Sequence, residues 1–197
     1  MSAARGLLPV RTTDLVVPLM YFRHRSARRG ERWDGALGEF FGQRHAVRDE
    51  LRGTPAFSFA VPEPGFPERR FSALVLPFDL ESDPAFLQTG YLHSRSFVLY
   101  TAFNHRSDGA ATYRFRLILP LSRAVNAQEY RVLTRAFDGE LGDQADWSQE
   151  RRDRRWNMPA CPAERHHLAT LRYGDGPLVD VDELLGTRVS IGLRRLA

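Results

Sequence analysis

Two apolar runs rich in β-formers, SFVLYTAF over 96–103 and YRFRLILPLS over 113–122, flank a polar stretch that contains Asp108-Gly109. Asp-Gly between two such runs predicts a β-hairpin. A hairpin at mid-chain constrains the fold more than any other feature. FSALVLPFDLE, 71–81, predicts a further strand, in which Pro77 calls for an edge position or a bulge just before Asp79 and Glu81. AFSFAV, 56–61, reads as a short strand, and PEPGFPERR, 62–70, as a proline-rich turn.

Helical signals alternate with these strands. Over 33–53, Leu37, Phe40, Phe41, Val47 and Leu51 fall near helical spacing, and Gly53 closes the pattern. Asp83 before Pro84 predicts a capped helix start within 82–92. Asn126 followed by Glu129 has capping-box spacing at the head of a helix over 126–143. Residues 166–186 read as a strand, a Gly-rich turn and a short last helix. This mixed order around a central hairpin predicts an α+β fold with a mainly antiparallel sheet.

The chain's 197 residues suffice for one domain with a real core. No apolar run approaches the ~18 residues of a membrane span, and the N-terminus is too weakly apolar for a secretory signal. Cys161 is the only cysteine, which excludes an intramolecular disulfide and a Cys-rich zinc site. A reducing cytoplasm is the expected compartment. All 28 Lys+Arg positions are arginine, with a net charge of +4. Arginine suits bidentate phosphate contacts, so a polyanionic partner is expected.

The chemistry concentrates in three blocks. Asp79 and Glu81 are two apart in a strand, so they share a face with Cα atoms roughly 6.5–7 Å apart. Two carboxylates aimed at one cleft repel unless a cation lies between them, and hard oxygens select Mg2+ or Mn2+. His105 sits at a strand-to-turn junction, and Arg114 and Arg116 share a face of the return strand. Together these three suit an anion. Asp146 follows the 126–143 helix and is a candidate third carboxylate, with Asp143 its competitor. The basic run RRDRR, 151–155, and Trp147 and Trp156 beside it suit a nucleic-acid backbone and bases, or packing and solvation. His166 and His167, read as strand residues, face opposite sides and make a poor metal pair.

The order of these blocks resembles the archaeo-eukaryotic primase superfamily, in its primase-polymerase branch from plasmids, phages and other mobile elements. FDLE, 78–81, looks like the family's first motif, and TAFNH, 101–105, like its second. DWSQERRDRRWNMP, 146–159, looks like the third-motif region. The resemblance covers roughly residues 70–160. The hydroxyl residue is Thr101, four before the histidine, where Phe103 holds the family's usual slot.

The resemblance implies a primase-like catalytic core with an RRM-like, mainly antiparallel sheet flanked by helices. A single domain 1–197 would comprise that core over 71–197 and an accessory N-terminal α/β unit over 1–70. Asp79, Glu81 and Asp146 would hold Mg2+ or Mn2+, and His105 would contact the nucleotide phosphates. Arg114 and Arg116 would help hold the triphosphate. The implied activity is DNA primase or polymerase chemistry: nucleotides added to a strand on a single-stranded DNA template by two-metal catalysis. The implied partners are that template and nucleoside triphosphates. Without lysine the chain has no P-loop, so the helicase often fused to such domains is expected to be absent from these 197 residues, and a separate helicase is a candidate partner. The alternative is an inactive primase-fold protein that binds single-stranded nucleic acid. A third option is a nuclease using the same acids.

Overall fold

The computed structural model describes residues 8–42, 45–51, 53–63, 66–81, 92, 94–106, 113–141 and 155–186. Its strands are β1 (Val16–Phe22), β2 (Glu31–Ala36), β3 (Ala46–Val47), β4 (Ala56–Ser58), β5 (Val61–Glu63), β6 (Phe66–Glu81), β7 (Phe97–Thr101), β8 (Arg114–Val125), β9 (Trp156–Asn157), β10 (Ala160–Cys161) and β11 (Leu171–Gly174). Among the described residues the α-helices α1 (Leu37–Phe41) and α2 (Ala127–Leu141) accompany them, and a short helix spans 181–186. The fold is α+β, and its larger sheets are antiparallel, as the sequence predicts. No helix among the described residues is long and apolar enough to cross a membrane.

The larger sheet has the order β11-β7-β8-β6-β5, and a second sheet has the order β2-β1-β4-β9. Period-two alternation assigns the larger sheet's faces. Leu76, Phe78 and Leu80 of β6 join Phe115, Leu117 and Leu119 of β8 in one core with Leu133 and Phe137 of α2. Val75 and Ile118 point the other way, with Val98 and Tyr100 of β7. They meet Val17 and Leu19 of β1, Leu37, Phe40 and Phe41 of α1, Phe57 of β4 and Trp156 of β9. The larger sheet is therefore covered by α2 on one face and by the second sheet on the other. Asp79 and Glu81 share the parity of Val75, so they lie on the face turned to the second sheet.

The central hairpin forms as β7 and β8, in register from Val98↔Ile118 to Thr101↔Phe115. The capping box forms as well. Asn126 Oδ1 accepts the N–H groups of Gln128 and Glu129 at 2.9 and 3.1 Å, and Glu129 accepts the Asn126 N–H at 3.0 Å. The strand and short last helix of 166–186 appear as β11 and the helix over 181–186.

Three readings are corrected. The helix over 33–53 shrinks to α1. Glu31–Ala36 pair residue by residue with β1, and Gly42, at φ +66°, ends the helix in a conformation that glycine adopts most readily. The apolar spacing of Leu37, Phe40 and Phe41 is real, but Val47 lies exposed in β3. The proline-rich turn over 62–70 is mostly strand, because Pro62 sits in the edge strand β5, where a missing N–H is tolerated. His166 and His167 lie exposed in a 3-10 helix, Ala163–Leu168, rather than in a strand.

Pro77 pairs with Ile118 of β8, while β5 reaches β6 no further along than Ser72, so Pro77 has the one-sided pairing expected of it. The bulge lies earlier, between Ala73 and Val75. The helix start expected in 82–92 lies outside the described residues, Leu92 apart.

Candidate functional site

The end of β6 meets the start of β8 in strict register: Asp79 lies opposite Arg116, and Glu81 opposite Arg114. All four side chains point to the same face. Arg116 donates through Nε to Asp79 Oδ1 at 2.9 Å, and Arg114 through Nε to Glu81 Oε1 at 2.9 Å. The cations that compensate the two like charges in this structure are therefore guanidiniums. The pairs differ in depth, with side-chain exposure of 12% and 18% for Arg116 and Asp79, against 26% and 57% for Arg114 and Glu81.

Arg116 is held further. Its Nη1 donates to the Asn157 carbonyl at 2.9 Å, and its guanidinium lies 5.8 and 5.5 Å from the ring centres of Tyr100 and Trp156. Tyr100 Oη donates to the same carbonyl at 3.0 Å. These contacts tie the larger sheet to β9 of the second.

The four charged residues line a cavity of about 310 Å³ together with Arg25, Leu51, Ala102, Phe103, Asn104 and Asn157. Its charged wall suits a phosphorylated ligand and its counter-cation. Arg25 reaches it from the exposed basic loop between β1 and β2. Arg155 anchors that loop by donating to the carbonyls of Arg25 and Ala27 and lying 3.9 Å from the Phe22 ring centre. Arg155 thus has a packing role, as does buried Trp156; Trp147 and residues 151–154 lie outside the described residues.

His105 is adjacent to this cavity in sequence but is not among its lining residues. It is buried, with its ring against Tyr113 and Phe115 and its Nδ1 at 3.1 Å from both the backbone nitrogen and the carbonyl oxygen of Arg114. Its contacts brace the strand that carries Arg114. The two guanidiniums bond the acids, and Arg114 also reaches the Asn104 carbonyl on the His105 turn, at 3.4 Å. Asp146 and Asp143 lie outside the described residues. Among the described residues, no group of three His, Cys, Asp or Glu side chains converges as a metal cage.

Sequence reasoning missed His45 and Asn157. His45 Nε2 donates to the Thr101 carbonyl at 3.0 Å and lies 3.0 Å from the Thr101 hydroxyl, which itself accepts the Thr170 N–H. Thr101, the hydroxyl of the second motif, is thus committed inside the protein. Asn157 is buried in β9, a strand of two residues with no periodicity to betray it.

Burial pushes both His45 and His105 below the ordinary histidine value of 6.5. Each is a base with a depressed folded pKa, so its contribution is fully present above about pH 6.5. It falls as pH drops toward the folded pKa, because the unfolded chain binds the proton first. The melting temperature is expected to decline between pH 7.5 and 5.5 in calorimetry. His45→Gln should flatten that decline, and an unchanged slope would count against a neutral buried His45.

Residues 69–190 match the family described as the VapE N-terminal domain. The primase-polymerase resemblance falls on the same part of the chain. Among solved structures, the primase-polymerase AEP domain of cyanophage S-2L is similar, with a TM-score of 0.49 and 13% identity over 86% of this chain and 88% of that one. No curated protein matches the chain.

Proposed function

The chain belongs to the VapE N-terminal domain family, and on that premise we propose that it is a primase-polymerase-type nucleotidyltransferase. It would add nucleotides on a single-stranded DNA template during replication of a plasmid, phage or other mobile element. The observation that carries this reading is the convergence of Asp79, Glu81, Arg114 and Arg116 on one cavity.

The donor set fits a divalent cation. Two hard carboxylates stand side by side on the cavity wall, and Glu81 engages only Oε1 in hydrogen bonding among the described residues. Asp79 and Glu81 would hold Mg2+ or Mn2+, with Asp146 as the third ligand. Bound there, the metal would neutralise triphosphate charge and activate the attacking 3′-hydroxyl. Arg114 and Arg116 orient the two carboxylates and present positive charge to the phosphates. His105 fixes the backbone of Arg114 from behind. The basic loop with Arg25 at its tip would track the template strand.

The test is nucleotide incorporation on single-stranded template with Mn2+ or Mg2+ and with the metal chelated. Metal-dependent extension is expected. Shortened template would reveal a nuclease instead, and no product from folded protein would sink the catalytic reading.

A second reading is favoured by one observation: both acids are already compensated by arginines. It makes the chain a non-catalytic single-stranded nucleic-acid-binding replication protein. Its signature is DNA binding that weakens steeply with salt and needs no metal.

A further inference from the structure

The two acid–arginine pairs on the cavity wall are built differently. Arg116 is held on several sides: Nε on Asp79, Nη1 on the Asn157 carbonyl, and its guanidinium beside the rings of Tyr100 and Trp156. Parting that shielded pair would leave charge in poorly solvated surroundings. The Arg114–Glu81 pair, with Glu81 57% exposed, can part into water at small cost. One pair is fixed and the other exchangeable, two residues apart on the same strands.

Both members of the exchangeable pair have a second use. Its single bond, Arg114 Nε to Glu81 Oε1 at 2.9 Å, engages the carboxylate that would hold a cation and the guanidinium that would meet a polyphosphate. A divalent cation on Glu81 would stand close to the guanidinium, and like charges repel there. A phosphate on Arg114 would stand close to the carboxylate, with the same result. With Arg116 fixed, Arg114 is the group that can turn away. A phosphate offers its fork the same paired oxygens as a carboxylate.

We propose that the Arg114–Glu81 bond is a latch that cation and polyphosphate open together, Arg114 passing to the phosphate and Glu81 to the cation, and that it opposes either ligand arriving alone. The proposal rests on the nucleotide-and-metal reading of this cavity. Each ligand removes the other's competitor, so their binding is coupled through this pair. An exposed ion pair shifts an equilibrium by up to about fivefold, which sets the size of the effect on each ligand.

The experiment has two arms. The first measures Mn2+ binding, without nucleotide, by electron paramagnetic resonance. Arg114→Met should bind Mn2+ about fivefold more tightly than the wild type. Arg25→Met removes the same charge from the same cavity without touching the latch, and should gain less than twofold. The second measures binding of inorganic tripolyphosphate in EDTA by calorimetry. Glu81→Gln should bind it about fivefold more tightly, and Asp79→Asn, which leaves Arg114 on Glu81, less than twofold. Circular dichroism sets a temperature at which all four variants are folded. Both gains are required. Equal gains within either pair of variants would show plain charge at work, and no gain in Arg114→Met or in Glu81→Gln would show no latch; each overturns the proposal. In those cases the nucleotide site stands if the wild type binds ATP with Mn2+. If it binds no such complex, that reading and this one fall together.

Discussion

Replacing Asp79 and Glu81 together by alanine is expected to lower metal-dependent nucleotide incorporation by about 10³-fold or more. Metal charge stabilisation contributes several kcal/mol to a phosphoryl transition state, and these are the carboxylates that would hold the metal. The substitution also frees two guanidiniums on the cavity wall, Arg114 and Arg116, so it adds positive charge where acids stood. Single-stranded DNA binding should therefore persist or strengthen while synthesis disappears. Asp79→Asn with Glu81→Gln is the companion variant. It keeps side-chain shape and an oxygen for each arginine but removes the charge that binds a divalent cation. Loss of synthesis in both variants, with DNA binding retained, would separate metal ligation from folding. Incorporation near the wild-type rate in the Asn/Gln variant would show that these acids serve the arginines and nothing else.

That contrast depends on a feature the sequence shows only by halves. Two-residue spacing puts Asp79 and Glu81 on a common face of their strand and Arg114 and Arg116 on a common face of theirs, and both statements hold. Which acid meets which arginine depends on the register between β6 and β8, whose paired residues are 33 and 37 positions apart. Register between strands so separated is set by the packing of whole faces and by the bulge at Ala73/Val75, not by local pattern. The bonds between these arginines and the acids, which that register creates, are therefore not legible in the sequence.

The same distinction runs through the fold. The β7–β8 hairpin and the Asn126 capping box are local devices, with their determinants within a few residues, and they are found where the sequence puts them. The helix expected over 33–53 has genuine helical spacing for one turn. What overrides it is non-local: the pairing of Glu31–Ala36 with β1. Asn157 illustrates the limit. Its strand is two residues long, and its place on the cavity comes from Ala56 on one side and Arg116 on the other.

The second large effect concerns Arg116. Arg116→Met is expected to destabilise the protein by about 3–5 kcal/mol, measured by urea denaturation. Methionine fills much of the space but removes the Nε bond to Asp79, the Nη1 bond to the Asn157 carbonyl and the charge beside Tyr100 and Trp156. It also strips the compensating guanidinium from a carboxylate that is only 18% exposed. Breaking a shielded ion pair from one side is far more damaging than never having built it. Arg116→Lys should recover only part of the loss, because an ammonium carries the charge without the planar fork that reaches both oxygens. Arg114→Met provides the control: its partner Glu81 is 57% exposed, and its loss should fall within about 1 kcal/mol. A loss for Arg116→Met no larger than that for Arg114→Met would show that the deeper pair adds nothing to stability. Asp79 would then be as free as Glu81 to exchange its guanidinium for a metal. A loss several-fold larger makes the two acids unequal: Glu81 releases its arginine readily, and Asp79 binds a cation only while sharing its carboxylate with Arg116.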